Sequence, residues 1–286
     1  ILIKVTEACF NVGKPLWFSR TIELADKIID YAADNSIEYA EAYHFKGISI
    51  HKEKSVLTEE MIKERLAILE KAYSVVFQLP ESIKSNRLLG RIMNSYGGQK
   101  IIAKSPDIKK EGIELLENRI KIDNDKNIND LKGLALTHGM IGRYYLYNIN
   151  DIKLAEKHFQ EDLNICEKIG DIDGASQMTS NLGKCSLDKK DYKSAIGFYK
   201  KSYNYTKKMD GSGLMNIIFS HKGLLDTYSK MNKEDLDQED ILKWGDRLVD
   251  KIKILDEQNI IKSEDLKVWK QNFKGNWITE LEKMIK

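Results

Sequence analysis

Residues 176–203, SQMTSNLGKCSLDKKDYKSAIGFYKKSY, read as two helices folded against each other across a tight turn. Met178, Leu182, Cys185 and Ser186 fall on one helical face, and Gly183 leaves room on that face for a second helix to press close. Lys189, Lys190 and Asp191 form the polar turn, with Asp191 placed to cap the second helix. Ala195, Phe198, Tyr199 and Ser202 then return at steps of three and four, a mix of small and aromatic surface suited to interlocking with the first helix. A hairpin of this kind cannot bury its apolar face alone, so it needs neighbours.

The rest of the chain supplies them. Gly47, Gly90, Gly142, Gly183 and Gly223 are separated by 43, 52, 41 and 40 residues, and both Ala155 to Ala195 and Phe159 to Tyr199 span 40. The long interval holds a segment at Gln99–Ser105 that reads as an insertion in a turn, and a linker, DNDKNINDL, at 123–131. Leu182-Gly183, the Asp191-Tyr192 turn, Ala195, Tyr199 and Ser202 resemble the helix-turn-helix unit of the tetratricopeptide repeat family, although the period is nearer 40 residues than the family's 34. The alternative is an irregular helical bundle in which the glycines coincide by chance.

The expected fold is all-α, since no stretch sustains strand alternation. The resemblance implies a right-handed α-solenoid of stacked antiparallel helix hairpins, running through residues 1–286 as one array. Its parts are a truncated hairpin at 1–35, hairpins at about 36–80, 81–122, 128–171, 174–209 and 213–258, and a capping helix at 263–286 carrying Leu266, Trp269, Phe273 and Trp277. Capping helices close solenoids because the last repeat otherwise leaves apolar surface wet. The three prolines fit this scheme: Pro15 follows a turn, Pro80 ends a helix and Pro106 opens one behind Ser105.

Lys and Arg number 46 against 44 Asp and Glu, a net charge of +2, which gives no global case for nucleic acid or a membrane surface. No apolar run approaches the ~18 residues of a membrane span. Cys9, Cys166 and Cys185 are odd in number and lack CxxC spacing, so reduced thiols and a cytoplasmic setting are expected. The chain starts with Ile, and its polar first fifteen residues do not read as a signal peptide. They read as the tail of a helix in a fragment cut inside a repeat, or as a processed N-terminus.

No chemistry emerges from the motifs. Asp123, Asp125 and Asn127 have the alternate spacing of a calcium loop, but Ile128 stands where that loop needs glycine and Leu134 where it needs glutamate, so the segment reads as a solvated linker. His44 and His51 lie seven apart with no acid to complete a metal site, and a groove-facing or surface role is expected; His138, His158 and His221 are isolated. Gly211-Ser212-Gly213 lacks the elements of a nucleotide fingerprint. Cys166 and Cys185 read as buried small hydrophobes. No enzyme activity, cofactor or metal is expected of this chain.

The candidate site comes from the resemblance. In tetratricopeptide arrays the first helix of each hairpin lines a concave surface, and residues around the packing glycine face the ligand. Carried over residue by residue, this names Lys84, Arg87, Arg91 and Asn94 around Gly90, Arg143 and Tyr147 around Gly142, and Gln177, Lys184 and Asn181 around Gly183, the last similar to the family's carboxylate-holding asparagine. Arg87 and Arg91 share a helical face, and stacking sets Arg143 and Lys184 beside them as a basic ladder able to grip carboxylates or phosphates. The family's complete carboxylate clamp is absent, and the other reading of these charges is an ordinary solvated face. The resemblance implies a protein- or peptide-binding scaffold or sensor in a larger regulatory protein, similar to bacterial signalling arrays, with a possibly acidic partner. The alternatives are an assembly module using Trp244, Trp269 and Trp277, or the accessory region of an enzyme whose catalytic domain lies elsewhere.

Overall fold

Helices in this chain start where a short polar side chain replaces the missing backbone partner of the first turn. Ser36, Thr58 and Ser82 accept from the backbone N–H of Tyr39, Met61 and Ser85, and Asp151, Asp171 and Asp191 do the same for Leu154, Gly174 and Ser194. Pro106 opens its helix behind Ser105, whose hydroxyl accepts from Ile108 at 3.4 Å. Gly170 closes a helix in the left-handed conformation, φ 73°, and hands the chain to Asp171.

The computed structural model describes residues 1–237 apart from 13–14, 55, 127 and 208–213, together with 239–241, 243, 244 and 247. Its contacts gather into two compact units. The first, Ile1–Tyr144, contains α1 (Leu2–Val12), α2 (Pro15–Tyr31), α3 (Ile37–Ser49), α4 (Glu59–Gln78), α5 (Ile83–Ile101), α6 (Pro106–Lys126) and α7 (Leu131–Tyr144). The second starts at Tyr145 with a π-helical turn, Tyr145–Ile149, followed by α8 (Ile152–Ile169), α9 (Ile172–Asp188), α10 (Tyr192–Thr206), α11 (Leu214–Tyr228) and a short 3₁₀ turn, Lys233–Asp235. The expected fourth hairpin therefore has its two helices in different units. The expected capping helix, with Trp269 and Trp277, and the Gly211–Gly213 turn lie outside the described residues.

Among the described residues there is helix and no strand. In the first unit each even-numbered helix packs on the helix before it and on the one after it, while α1, α3, α5 and α7 also touch in succession. That is the packing of stacked antiparallel hairpins. In the second unit α9 packs on α8 and α10, and α11 lies against both α10 and α9.

Small residues set how closely the helices approach. A β-carbon on Gly47 would collide with Leu69 of α4 at 2.7 Å. In the second unit the Tyr199 ring of α10 takes the space beside both Gly183 of α9 and Gly223 of α11. Gly97 and Gly112 bring α5 and α6 nearly backbone to backbone, since a β-carbon on Gly97 would meet the Gly112 carbonyl at 3.1 Å. This close crossing corrects the expected insertion at Gln99–Ser105: α5 continues through Gln99 to Ile101, and only 102–105 form the turn.

The core of the first unit gathers Tyr39 and Ala40 of α3, Ala72, Val75 and Val76 of α4, and Leu88, Leu89, Ile92 and Met93 of α5. In the second unit Ala195, Tyr199, Leu224, Leu225 and Tyr228 pack with Ile241 and Trp244. Each large side chain buried in this way stabilises the fold by roughly 1.5–3 kcal/mol. Between α9, α10 and α11 the seam is instead built of hydroxyls. Ser202 Oγ lies 3.0 Å from Ser176 Oγ and 2.7 Å from Ser220 Oγ, all three fully or almost fully buried.

The linker at 123–130 is not a solvated loop. Arg119 of α6 is completely buried, and its guanidinium donates to Asp123 Oδ1 at 3.1 Å and to Asp130 Oδ2 at 3.0 Å. Asp130 Oδ1 meanwhile accepts from the Gly133 N–H at the start of α7. Asp123, the first of the residues that resemble a calcium loop in sequence, is thus spent on an internal arginine, and Ile128 is buried, its N–H donating to the Asp123 carbonyl at 3.3 Å.

Candidate functional site

The expected site residues fall into both units. Lys84, Arg87, Arg91, Asn94 and Arg143 belong to the first, and Tyr147, Gln177, Asn181 and Lys184 to the second.

In the first unit α3 and α5 run side by side, and their register is fixed by polar pairs. Lys84 Nζ lies 3.4 Å from Glu38, Arg91 Nη2 lies 2.9 Å from Glu41, and Ser95 Oγ lies 2.9 Å from His44 Nε2. Arg91 also reaches Glu7 of α1 at 3.8 Å, so one guanidinium joins three successive first helices. Its side chain stays 39% exposed while that of Glu41 is only 10% exposed. Arg87 turns toward the linker and donates, at 3.4 Å, to the Ile128 carbonyl. The arginines are thus positioned along α5, and Lys84 and Arg91 are neutralised by acids that the basic ladder did not foresee.

Asn94 departs from the expectation. It is buried, its amide nitrogen donates to the Gly133 carbonyl at 2.8 Å, and its oxygen accepts from Thr137 Oγ1 at 2.6 Å. Its polar capacity ties α5 to α7, which removes it from the surface. His44 is likewise interior rather than groove-facing or exposed. Burial, and then the Arg91 charge, hold its pKa down to about 3, so the imidazole is neutral between α3 and α5. His51 sits at the surface end of α3 against Glu64, 2.8 Å away.

In the second unit Gln177 donates to Asp173 at 2.8 Å, whose other oxygen accepts from Asn216 of α11 at 2.6 Å. Lys184 pairs with Asp188 one turn along α9, and Tyr147 is exposed on the π-helical turn. Asn181 makes a long contact, 3.9 Å, with the Met178 sulfur. Arg143 lies in the last turn of α7.

The thiols are buried and unpaired by disulfides. Burial raises the Cys166 thiol, helped by its bond to Asp162, and pushes Cys185 up to about 12. Trp244 is not a free contact surface. It is buried edge-on against Tyr203 and His221, with the Arg247 guanidinium 4.8 Å from its ring centre. Among the described residues no group of three acids, histidines or cysteines is placed to hold a metal, and no helix is long and apolar enough to cross a membrane.

Sequence reasoning missed Glu7, Glu41, Ser95 and Thr137, which decide how the wall is built. It also missed the buried Arg119–Asp123 pair, for which the spacing of four on α6, a pairing distance on any helix, was a local signal.

No protein-family model matches the sequence, and no curated protein matches it. Solved structures do. The crystal structure of BtubC (BKLC) from P. vanneervenii is similar with a TM-score of 0.66 at 13% identity, covering 85% of this chain and 91% of that one. The apo form of RapI is similar with a TM-score of 0.63 at 15% identity, covering 99% of this chain and 93% of that one. With the packing described above, these likenesses show the fold: an all-α helical repeat built of stacked antiparallel hairpins.

Proposed function

We propose that this chain is a protein- or peptide-binding scaffold of the tetratricopeptide type, a regulatory or sensor region that recognises its partner on the first helices of its hairpins. The observation that carries the reading is Arg91. It is a guanidinium reachable from solvent, held between Glu41 of α3 and Glu7 of α1, with Lys84 and Glu38 paired along the same two helices.

A row of oriented charges of both signs, set on rigid neighbouring helices, is suited to reading an extended polypeptide. The Glu7 contact is the long one, so a partner carboxylate can replace it on Arg91 while Glu41 keeps the side chain in place. This supports an acidic segment as partner. The free thiols support a cytoplasmic setting. The reading calls for no catalytic role: burial keeps His44 neutral and Cys166 and Cys185 as protonated thiols.

The test is fluorescence anisotropy with a synthetic peptide library having acidic and neutral C-terminal sequences. The wild-type chain should select acidic members, with affinity falling as salt rises. The Arg87→Ala, Arg91→Ala, Arg143→Ala triple variant should bind them more weakly and with less salt dependence. Equal affinity of the two proteins at low salt removes the reading.

A further inference from the structure

A second arginine of the first unit is buried without an acid. Arg65, in the second turn of α4, is 8% exposed, and among the described residues no ion pair joins it to a carboxylate. Its Nε donates to the Ile50 carbonyl at 2.7 Å and its Nη1 to Gln99 Oε1 at 3.3 Å, while Nη2 makes no hydrogen bond. Burial presses its pKa down, and the field of Glu53, on the connection leaving α3, acts the other way from a distance. Arg119, buried in the same unit, shows the ordinary solution, with two aspartates on its guanidinium.

The groups around Arg65 repeat the imbalance. The amide nitrogen of Gln99, 9% exposed, and the hydroxyl of Ser49, fully buried, have no hydrogen-bond partner. Glu41 faces Arg91 and His44 faces Ser95, so the same register one turn further on sets Gln99 opposite the end of α3, where Ser49 lies. Arg65 joins those two helix ends through its bonds to Ile50 and Gln99. The α3 carbonyl end offsets part of the charge. It does not supply acceptors for the buried Gln99 amide or the buried Ser49 hydroxyl. Buried donors left without acceptors are costly, and the Arg65 Nη2 beside them, not itself a buried unsatisfied atom, is open to a further acceptor.

Two donors without acceptors, on α3 and α5, next to the residues that the Arg65 guanidinium of α4 bonds, are the complement of an oxyanion. We propose that Arg65, Gln99 and Ser49 bind a small oxyanion, a carboxylate or phosphate group, in the first unit where α4 meets the C-terminal ends of α3 and α5. The guanidinium gives its free nitrogen to one oxygen, and the amide and hydroxyl give theirs to the others. The site is two turns of α5, ~12 Å along its axis, beyond Arg91. It stands or falls independently of the peptide-binding reading.

The experiment measures the thermal midpoint of the full chain in sodium phosphate, sodium acetate and sodium chloride at equal ionic strength. Wild type should show a saturable rise in phosphate or acetate over chloride, and which of the two is effective tells a tetrahedral ligand from a planar carboxylate. Gln99→Glu supplies an internal carboxylate to Arg65, so it should fold at least as stably in chloride and lose the anion response. Arg65→Gln should weaken the anion by on the order of tenfold or more, the worth of a charge-assisted hydrogen bond. A wild-type midpoint equal in all three salts, as expected if water alone fills the donors, overturns the proposal. So does an unchanged anion response in Gln99→Glu.

Discussion

A β-carbon added to Gly223 would stand 2.2 Å from Cε1 of the Tyr199 ring, closer than any two such atoms can come. A β-carbon on Gly183 of α9 would lie 3.0 Å from the same atom, a tighter fit than usual but far less severe than the one at Gly223. Alanine at Gly223 gains about 1 kcal/mol in helix propensity. Overpacking costs about 1–3 kcal/mol, so Gly223→Ala should lower the unfolding free energy, and Gly183→Ala should do so less. Gly197, on α10, has nothing within 4 Å of an added β-carbon. Gly197→Ala should therefore stabilise by about 0.5–1 kcal/mol. Urea unfolding of the three variants checks the order; a stabilised Gly223→Ala would contradict the packing.

Arg119→Met should be far more damaging than its conservative shape suggests. It strips Asp123 and Asp130 of their shared cation, and breaking a buried pair from one side costs about 3–5 kcal/mol. Adding Asp123→Asn and Asp130→Asn should recover a large part of the loss, because the stranded charges are then gone. Thermal unfolding of the single and triple variants measures this, and a triple variant weaker than the single one would show that the acids act elsewhere.

Stability should fall on acidification through His44. Its folded pKa of about 3 is below the unfolded value of 6.5, so the unfolded chain takes up a proton first. The stabilisation is complete above 6.5 and is lost as pH falls from there toward 3. At one pKa unit per 1.36 kcal/mol, about 2–3 kcal/mol should be gone by pH 4.5. His158, held to about 4 by burial and then by Lys157, adds in the same direction. His44→Gln, which cannot titrate, should show a shallower decline of the unfolding midpoint between pH 6.5 and 4.5 than wild type. Parallel declines would place the effect on other groups.

Cys166 and Cys185 should resist a thiol reagent such as Ellman's in the folded chain, because burial keeps both as neutral thiols. Labelling should follow unfolding, rising steeply only at denaturant concentrations where helicity is lost. Rapid labelling of either residue in buffer would mean that α8 or α9 opens locally.

The hairpin at 176–203 was legible because its information is local. Asp191 caps α10 and Gly183 receives Tyr199, both visible as spacing along one stretch. Turn chemistry and small-residue placement depend on near neighbours, which a single sequence displays. Asn94 and His44 were misread for the opposite reason. Each sits at a helix position that spacing alone would give to solvent or a ligand, and each is buried by a polar partner chosen in space. Ser95 is 51 residues from His44, and Thr137 is 43 from Asn94. Periodicity tells which face of a helix a residue occupies, and the nature of the neighbour on that face comes only from the stacked fold. The basic ladder failed to anticipate Glu7 and Glu41 on the same ground, since it lined up cations from successive helices and left out the acids of α1 and α3.

The hydroxyl seam of Ser176, Ser202 and Ser220 gives the second unit a particular mechanical character. A hydroxyl can give one hydrogen bond while taking others, so a small glide of α10 exchanges partners without stranding any of them. Interlocked leucines in the same place would resist such sliding. The Tyr199 ring, seated between Gly183 and Gly223 in the same joint, sets the limit of that glide, so the hydroxyls lend give only within the space the ring leaves.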